Sequence, residues 1–178
     1  MDKTQFSNKY IEITSERFLL KTLQFGEATE TYLDWFSEKN IGEFIVAARS
    51  EQSIESLNEF IKEKFAATDC LFFGIYEKGG GAHIGNVKYE PISIEHSSSV
   101  MGIMLGDLNW RGKGVAGEII QASFDYFKEN FELKKMLLGV EVENQPAIRA
   151  YEKLGFVKIE SSPLINAQDN AFIMEKKQ

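Results

Sequence analysis

The stretch "GDLNWRGKGVAGEII", Gly106 to Ile120, contains a complete G-x-G-x-x-G at Gly112-Lys113-Gly114-Val115-Ala116-Gly117. Its flanks predict a strand–loop–helix setting. "VMGIML" before it reads as a strand, and Val115–Asn130 repeats Ala116, Ile120, Phe124 and Phe127 on one helical face. A helix start has free backbone N–H groups, and glycines let an anion approach them closely. The loop therefore predicts a phosphate-bearing ligand. It does not say which one. A Rossmann strand runs almost directly into its first glycine, but here "GDLNWR" intervenes. A Walker A loop is ruled out because Gly112-Lys113 lacks the following Ser/Thr and the glycine at the required spacing.

Upstream, "RFLLKTL" (Arg17–Leu23) reads as a strand and Ala28–Lys39 as a helix with Tyr32, Trp35 and Phe36 at helical spacing. A second helix opens on a Ser53 N-cap and carries Ile54, Leu57, Ile61 and Phe65 on one face. Between them "NIGEFIVAARS" is apolar but aperiodic. It is expected to be a loop that brings Glu43 beside Phe44, Ile45 and Val46 and could line a pocket. "LFFGIYE" and "HIGNVKYEPI" flank the glycine-rich turn "KGGGA", a hairpin signal. Downstream, Met136–Glu143 alternates as a strand. "NQPAIRAYEKLGF" is a short helix opened by Asn144 and Pro146 and stopped by Gly155, and two last strands fall at Phe156–Glu160 and Ala171–Glu175. No linker or repeat divides the chain, so residues 1–178 are expected to form a single domain.

Composition narrows the partners. The formal charge is −7 and the pI is near 5.0, which disfavours nucleic acid or an anionic membrane surface. No apolar run approaches bilayer length and the N-terminus lacks a signal-peptide pattern, so a cytoplasmic location is the expectation. One cysteine, Cys70, cannot build a disulfide or a Cys-rich zinc site within the chain. With only His83 and His96, both read as strand or surface residues, no metal is expected.

Two motifs point further. Arg111-Gly112-Lys113-Gly114-Val115-Ala116 resembles the Q/R-x-x-G-x-G/A loop of the GNAT N-acetyltransferase superfamily, and "NQPAIRAYEKLGFV" (Asn144–Val157) resembles its last signature. "ERFLLKTL" (Glu16–Leu23) is similar to the opening strand of the branch that includes ribosomal-protein-alanine N-acetyltransferases. The resemblance runs from about Ser15 to the C-terminus. It implies an α/β (α+β) fold with a mixed, largely antiparallel sheet flanked by helices. It also implies direct transfer of an acetyl group from the co-substrate acetyl-CoA to a primary amine, a small molecule or a peptide N-terminus.

By that resemblance Arg111, Gly112, Lys113, Gly114, Val115 and Ala116 hold the pyrophosphate. Ile103, Met104 and Leu105 offer backbone to the pantetheine arm, and Asn144 caps its helix and contacts the cofactor. Tyr151 protonates the leaving thiolate. Ala147, Tyr151 and Leu154 also share an i, i+4, i+7 face, so the residues alone equally allow Tyr151 as a core aromatic. Many relatives carry a glutamate before the glycine loop, where this chain has Val100-Met101. Glu143, Glu141 and Glu90 are the substitutes for the general base, with Glu143 the catalytic candidate beside Tyr151 and a water relay still open. A non-catalytic acyl-CoA-binding protein and an NAD-binding oxidoreductase remain the rival readings. A homodimer is compatible with all three.

Overall fold

The outer strand Phe18–Thr22 alternates buried and half-buried residues, whereas Leu71–Ile75 in the sheet interior is buried at every position. The computed structural model describes residues 6–37, 52–166 and 169–177. Its strands are β1 (Glu12–Thr14), β2 (Phe18–Thr22), β3 (Leu71–Glu77), β4 (His83–Ser93), β5 (Ser98–Leu105), β6 (Lys135–Glu141), β7 (Val157–Ile159) and β8 (Ala171–Lys177). They form one eight-stranded sheet in the order β1-β2-β3-β4-β5-β6-β8-β7. β5 and β6 run parallel; among the described residues every other neighbour pair of this sheet is antiparallel. A doubly wound dinucleotide fold needs a mostly parallel sheet, so the topology overturns the NAD-binding alternative.

Among the described residues, four α-helices cover the two faces: α1 (Glu30–Asp34), α2 (Ile54–Ala66), α3 (Val115–Phe131) and α4 (Gln145–Lys153). The larger core lies under α3 and α4. There Val115, Ile119, Ile120, Phe124, Phe127 and Ile148 meet Phe18, Leu20, Phe73, Ile75, Val87, Tyr89 and Leu138. A smaller core on the opposite face joins Tyr32, Trp35, Leu57 and Ile61 to Leu23, Cys70 and Phe72. Neighbouring residues of β5 divide between the two. Ile103 and Leu105 pack toward the α3/α4 core, while Met104 packs toward the α1/α2 core.

Helix ends follow local chemistry. Ser53 accepts from the Ser56 N–H while the Ser56 side chain accepts from the Ser53 N–H, a closed capping box for α2. The Asn144 side chain accepts from the Ala147 N–H at 3.2 Å, so it is the N-cap of α4 as expected. α4 ends in a Schellman motif. Gly155 has φ +87, its N–H donates to the Glu152 carbonyl, and the Phe156 N–H reaches the Tyr151 carbonyl at 3.0 Å.

Several boundaries differ from the sequence reading. β1, whose three residues are too few to carry a period, pairs with β2 in register Ile13↔Leu20. The helix expected over Ala28–Lys39 starts after its Thr29 cap and tightens into a 3-10 turn at Trp35–Ser37. β6 stops at Glu141, not Glu143, because the chain turns there and the Asn144 N–H donates to the Glu141 carbonyl at 2.9 Å. β8 runs on to Lys177, paired with Lys135. The loop with Glu43, Phe44, Ile45 and Val46 lies outside the described residues.

Candidate active site

The parallel strands β5 and β6 pair at Ser98↔Lys135, Ser99↔Met136 and Val100↔Leu137, and their register goes no further. β5 nevertheless continues to Leu105 against β4, with Val87↔Ile103, Asn86↔Met104 and Gly85↔Leu105. From Met101 onward its other edge therefore has no strand partner among the described residues. Backbone N–H and C=O groups on such an edge need partners, and an extended amide-rich chain supplies them. Ile103, Met104 and Leu105 line this opening and are half-buried, whereas Met101 before them is buried.

The opened strand leads straight to the glycine loop. Asp107 caps a 3-10 turn over Leu108–Trp110, and Gly112 and Gly114 follow with φ +71 and +76. L side chains are strained in that left-handed region. Gly114 is the N-cap of α3 and has no side-chain capping bond, so the first N–H groups of a 17-residue helix remain available for an anion. A Cβ on Gly112 would meet nothing within 4 Å, which marks open space in front of the loop. Arg111 and Lys113 are exposed beside it while Val115 is buried and anchors the helix. Lys113 Nζ lies 5.4 Å from the Trp110 ring centroid. The donors, the free space and the two cations suit a diphosphate.

Tyr151 stands on the same side of the sheet as Ile103 and Leu105. The Schellman turn brings Phe156 back onto it, with ring centroids 5.6 Å apart at 60°. "KLGF" therefore acts as a clip that holds the tyrosine ring. The side chain is half-buried, and burial pushes its hydroxyl up to about 12. Asn144, at the other end of α4, is half-buried.

The three carboxylates named from sequence separate in space. Val140 packs into the α3/α4 core, so Gly139 and Glu141 on the same strand look to the opposite face. A Cβ on Gly139 would lie 3.3 Å from the Ile165 side chain, which lines that face beside the opening. Glu141 is half-buried there, whereas Glu143 is exposed in the turn beyond the strand. Glu90 is held by Lys64 at 2.9 Å and Lys88 at 2.6 Å. Burial alone would raise its carboxyl, but the bonds from Lys88 and Lys64 outweigh that and hold it below the usual range. A carboxylate bound by two ammonium groups is a poor base.

Several contacts on this part of the fold were not legible in the sequence. On the α1/α2 face His83 bonds Asn86 at 2.9 Å and stacks on Tyr76 at 4.6 Å. Trp35 packs edge-on to His83 at 4.8 Å, and a Cβ on Gly106 would collide with the Trp35 ring. This floor borders Met104, which pairs with Asn86. Burial lowers the His83 pKa, opposed by the Asn86 bond. Cys70, buried, has its thiol pushed up to about 12 chiefly by burial, which makes it unsuited to nucleophilic attack. No helix among the described residues is long and apolar enough to cross a membrane.

Known proteins share this fold. The family model described as Acetyltransferase (GNAT) domain matches residues 17–157. An uncharacterized N-acetyltransferase, p20, of Bacillus licheniformis is 28% identical over 149 residues, which cover 81% of each chain. The crystal structure of spermidine N-acetyltransferase from Vibrio cholerae in complex with CoA and spermine superposes with a TM-score of 0.73 at 23% identity. The match covers 91% of this chain and 96% of that one. RimL, a ribosomal L7/L12 alpha-N-protein acetyltransferase in complex with coenzyme A, gives a TM-score of 0.78 at 11% identity over 95% and 98% of the two chains. An antiparallel sheet opened at its one parallel pair, a glycine loop at the mouth and a family match across four-fifths of the chain lead to one conclusion: the chain belongs to the GNAT acetyltransferase family and is an N-acetyltransferase.

Proposed function

We propose that the enzyme transfers the acetyl group of acetyl-CoA to the primary amine of a small molecule, by direct attack within one ternary complex. The observation that carries this reading is the separation of β5 from β6 after Val100 and Leu137, directly upstream of two left-handed glycines at a helix start. When bound, the donor supplies an activated thioester. Backbone N–H groups of Gly112 to Ala116 hold its diphosphate, with Arg111 and Lys113 adding charge, while the free edge of Met101–Leu105 pairs with its amide-rich arm. A backbone N–H on that edge bonds the acetyl oxygen.

Tyr151 donates to the departing sulfur. A phenol raised to about 12 keeps its proton at every physiological pH. Full transfer to a thiolate with a parent pKa near 8.5 runs uphill, so the hydroxyl acts mainly by hydrogen bonding to the sulfur, and solvent completes protonation. Asn144 sets the start of α4 and thereby the position of Tyr151 one to two turns on. Glu141 takes the amine proton in this reading. Its support is its face, opposite the α3/α4 core and beside Gly139 and Ile165. Glu143, in the exposed turn, is the competing carboxylate.

The acceptor choice rests on charge. An enzyme of net charge −7 is repelled by dense RNA phosphate on an assembled ribosome, whereas a free cationic amine meets no such penalty. Steady-state thiol release from acetyl-CoA with a panel of polyamines, amino sugars and short peptides tests the reading. Small amines are expected to turn over, with peptides slower. Efficient acetylation of peptide N-termini with small amines inert overturns the acceptor class. CoA binding without any transfer favours a non-catalytic binding protein.

A further inference from the structure

Glu118 sits in the first turn of α3, the helix whose start faces the proposed diphosphate. A carboxylate there repels an anion bound at the same helix end, so its charge needs an answer. The structure supplies one from 101 residues away in sequence. Glu118 accepts from the Ser15 hydroxyl at 2.7 Å, from the Arg17 backbone N–H at 2.7 Å and from Arg17 Nε at 2.7 Å. The same guanidinium donates through Nη2 to the Lys113 carbonyl at 3.1 Å, inside the glycine loop. Arg17 thus spans the helix acid and the loop backbone. It also lies 4.9 Å from the Phe18 ring centroid, and Phe18 packs edge-on to Trp110 at 5.4 Å. Both ends of the loop are tied to the start of β2.

We propose that Arg17 and Glu118 are positioning residues that hold the Arg111–Ala116 loop in its anion-binding shape and cancel the helix-end carboxylate. Affinity for the nucleotide diphosphate of the donor then depends on side chains remote from the reacting atoms. The proposal rests on the reading that this loop holds the diphosphate. A planar guanidinium suits the task because one group can serve a carboxylate and a carbonyl together. A lysine supplies the charge but not the fork.

The test compares wild type with Arg17→Met, Arg17→Lys, Glu118→Gln and the double variant Arg17→Met/Glu118→Gln. CoA affinity is measured by calorimetry, and kinetics are measured with acetyl-CoA and with S-acetylpantetheine, which has no diphosphate. Arg17→Met is expected to weaken CoA about tenfold and raise the acetyl-CoA KM by a similar factor with kcat retained, as for the loss of a charge-assisted hydrogen bond. Its kcat/KM with S-acetylpantetheine should stay within about twofold of wild type. Arg17→Lys should fall between the two, and the double variant should recover part of the loss because the unanswered carboxylate is gone. Amide exchange at residues 111–117 should quicken in Arg17→Met. Equal losses with both donors, or unchanged CoA affinity in a folded Arg17→Met, overturn the proposal. Should Arg17→Met not fold, Arg17→Lys and Glu118→Gln decide: unchanged CoA affinity in both refutes it. Gly114→Val separates the two layers. Normal CoA binding in that variant refutes the loop reading itself, whatever the Arg17 variants do.

Discussion

Val100 of β5 and Leu137 of β6 are the last residues at which the two parallel strands face each other. Beyond them β5 stays bound to β4 as far as Leu105, and β6 stays bound to β8 as far as Glu141. The sheet therefore opens between two strands that are each still supported on the far side. That support lets an edge with no strand partner among the described residues keep its extended shape instead of fraying.

Replacing Gly114 by Val should abolish CoA binding. The φ of +76 costs an L residue about 1–2 kcal/mol, and a branched side chain blocks the approach to the helix N–H groups. Calorimetry reads the loss, and a thermal scan should show a drop of several degrees in Tm without loss of the folded baseline. CoA binding at wild-type strength contradicts the loop assignment.

Tyr151→Phe should lower kcat by a factor on the order of ten to several hundred while acetyl-CoA affinity changes by less than about twofold. The ring contact with Phe156 survives the change, so the melting temperature should hold. In wild type the raised hydroxyl, at about 12, predicts no loss of rate from tyrosine ionisation up to about pH 10. A raised phenol also means that its stabilising contribution is intact below pH 10 and is lost as pH climbs from about 10 through 12. Full activity with a lowered Tm in the Phe variant makes Tyr151 a core residue only.

Glu141→Gln should reduce kcat by about tenfold to a hundredfold, while Glu143→Gln stays near wild type. The reverse ranking moves the base to the turn. Equal activity in both variants leaves proton removal to water.

Glu90 predicts an acid sensitivity. Its pKa is lowered because the bonds from Lys88 and Lys64 outweigh burial, so the stabilisation it adds is present above the ordinary carboxyl value and disappears as pH falls through the lowered one. Glu90→Gln should cost about 1–2 kcal/mol near pH 7, since Lys64 is only 13% exposed and keeps only the exposed Glu63, at 3.0 Å, as a carboxylate partner. The variant should also flatten the stability curve below about pH 4.5. Urea titrations at several pH values compare the slopes; parallel wild-type and variant curves count against the pair.

Gly106→Ala should destabilise by roughly 1–3 kcal/mol, because the new methyl collides with the Trp35 ring and neither can move freely in a packed core. Trp35→Leu in the same background should restore part of the loss. An unchanged Gly106→Ala Tm means that the tryptophan has room to shift.

Much of this protein was legible in the chain because the signals are local. The Ser53 box, the Asn144 cap, the Gly155 turn and the two glycines before α3 each depend on dihedral angles and hydrogen bonds within a few residues. The alternation in β2 and the continuous apolar run of β3 came from the same short range. Those elements determined the helices, the hairpins and the glycine loop proposed to receive an anion, and with them the family. Three features had no local signature. The parting of β5 from β6 is a matter of register across the whole sheet. The face of Glu141, and the difference between it and Glu143, follows from where β6 stops, which a hydrogen bond from Asn144 decides. The pairing of Arg17 with Glu118 joins residues 101 positions apart, and that of Glu90 with Lys64 spans 26. Such contacts depend on packing energy summed over many elements, and residue type or spacing along the chain does not encode it residue by residue.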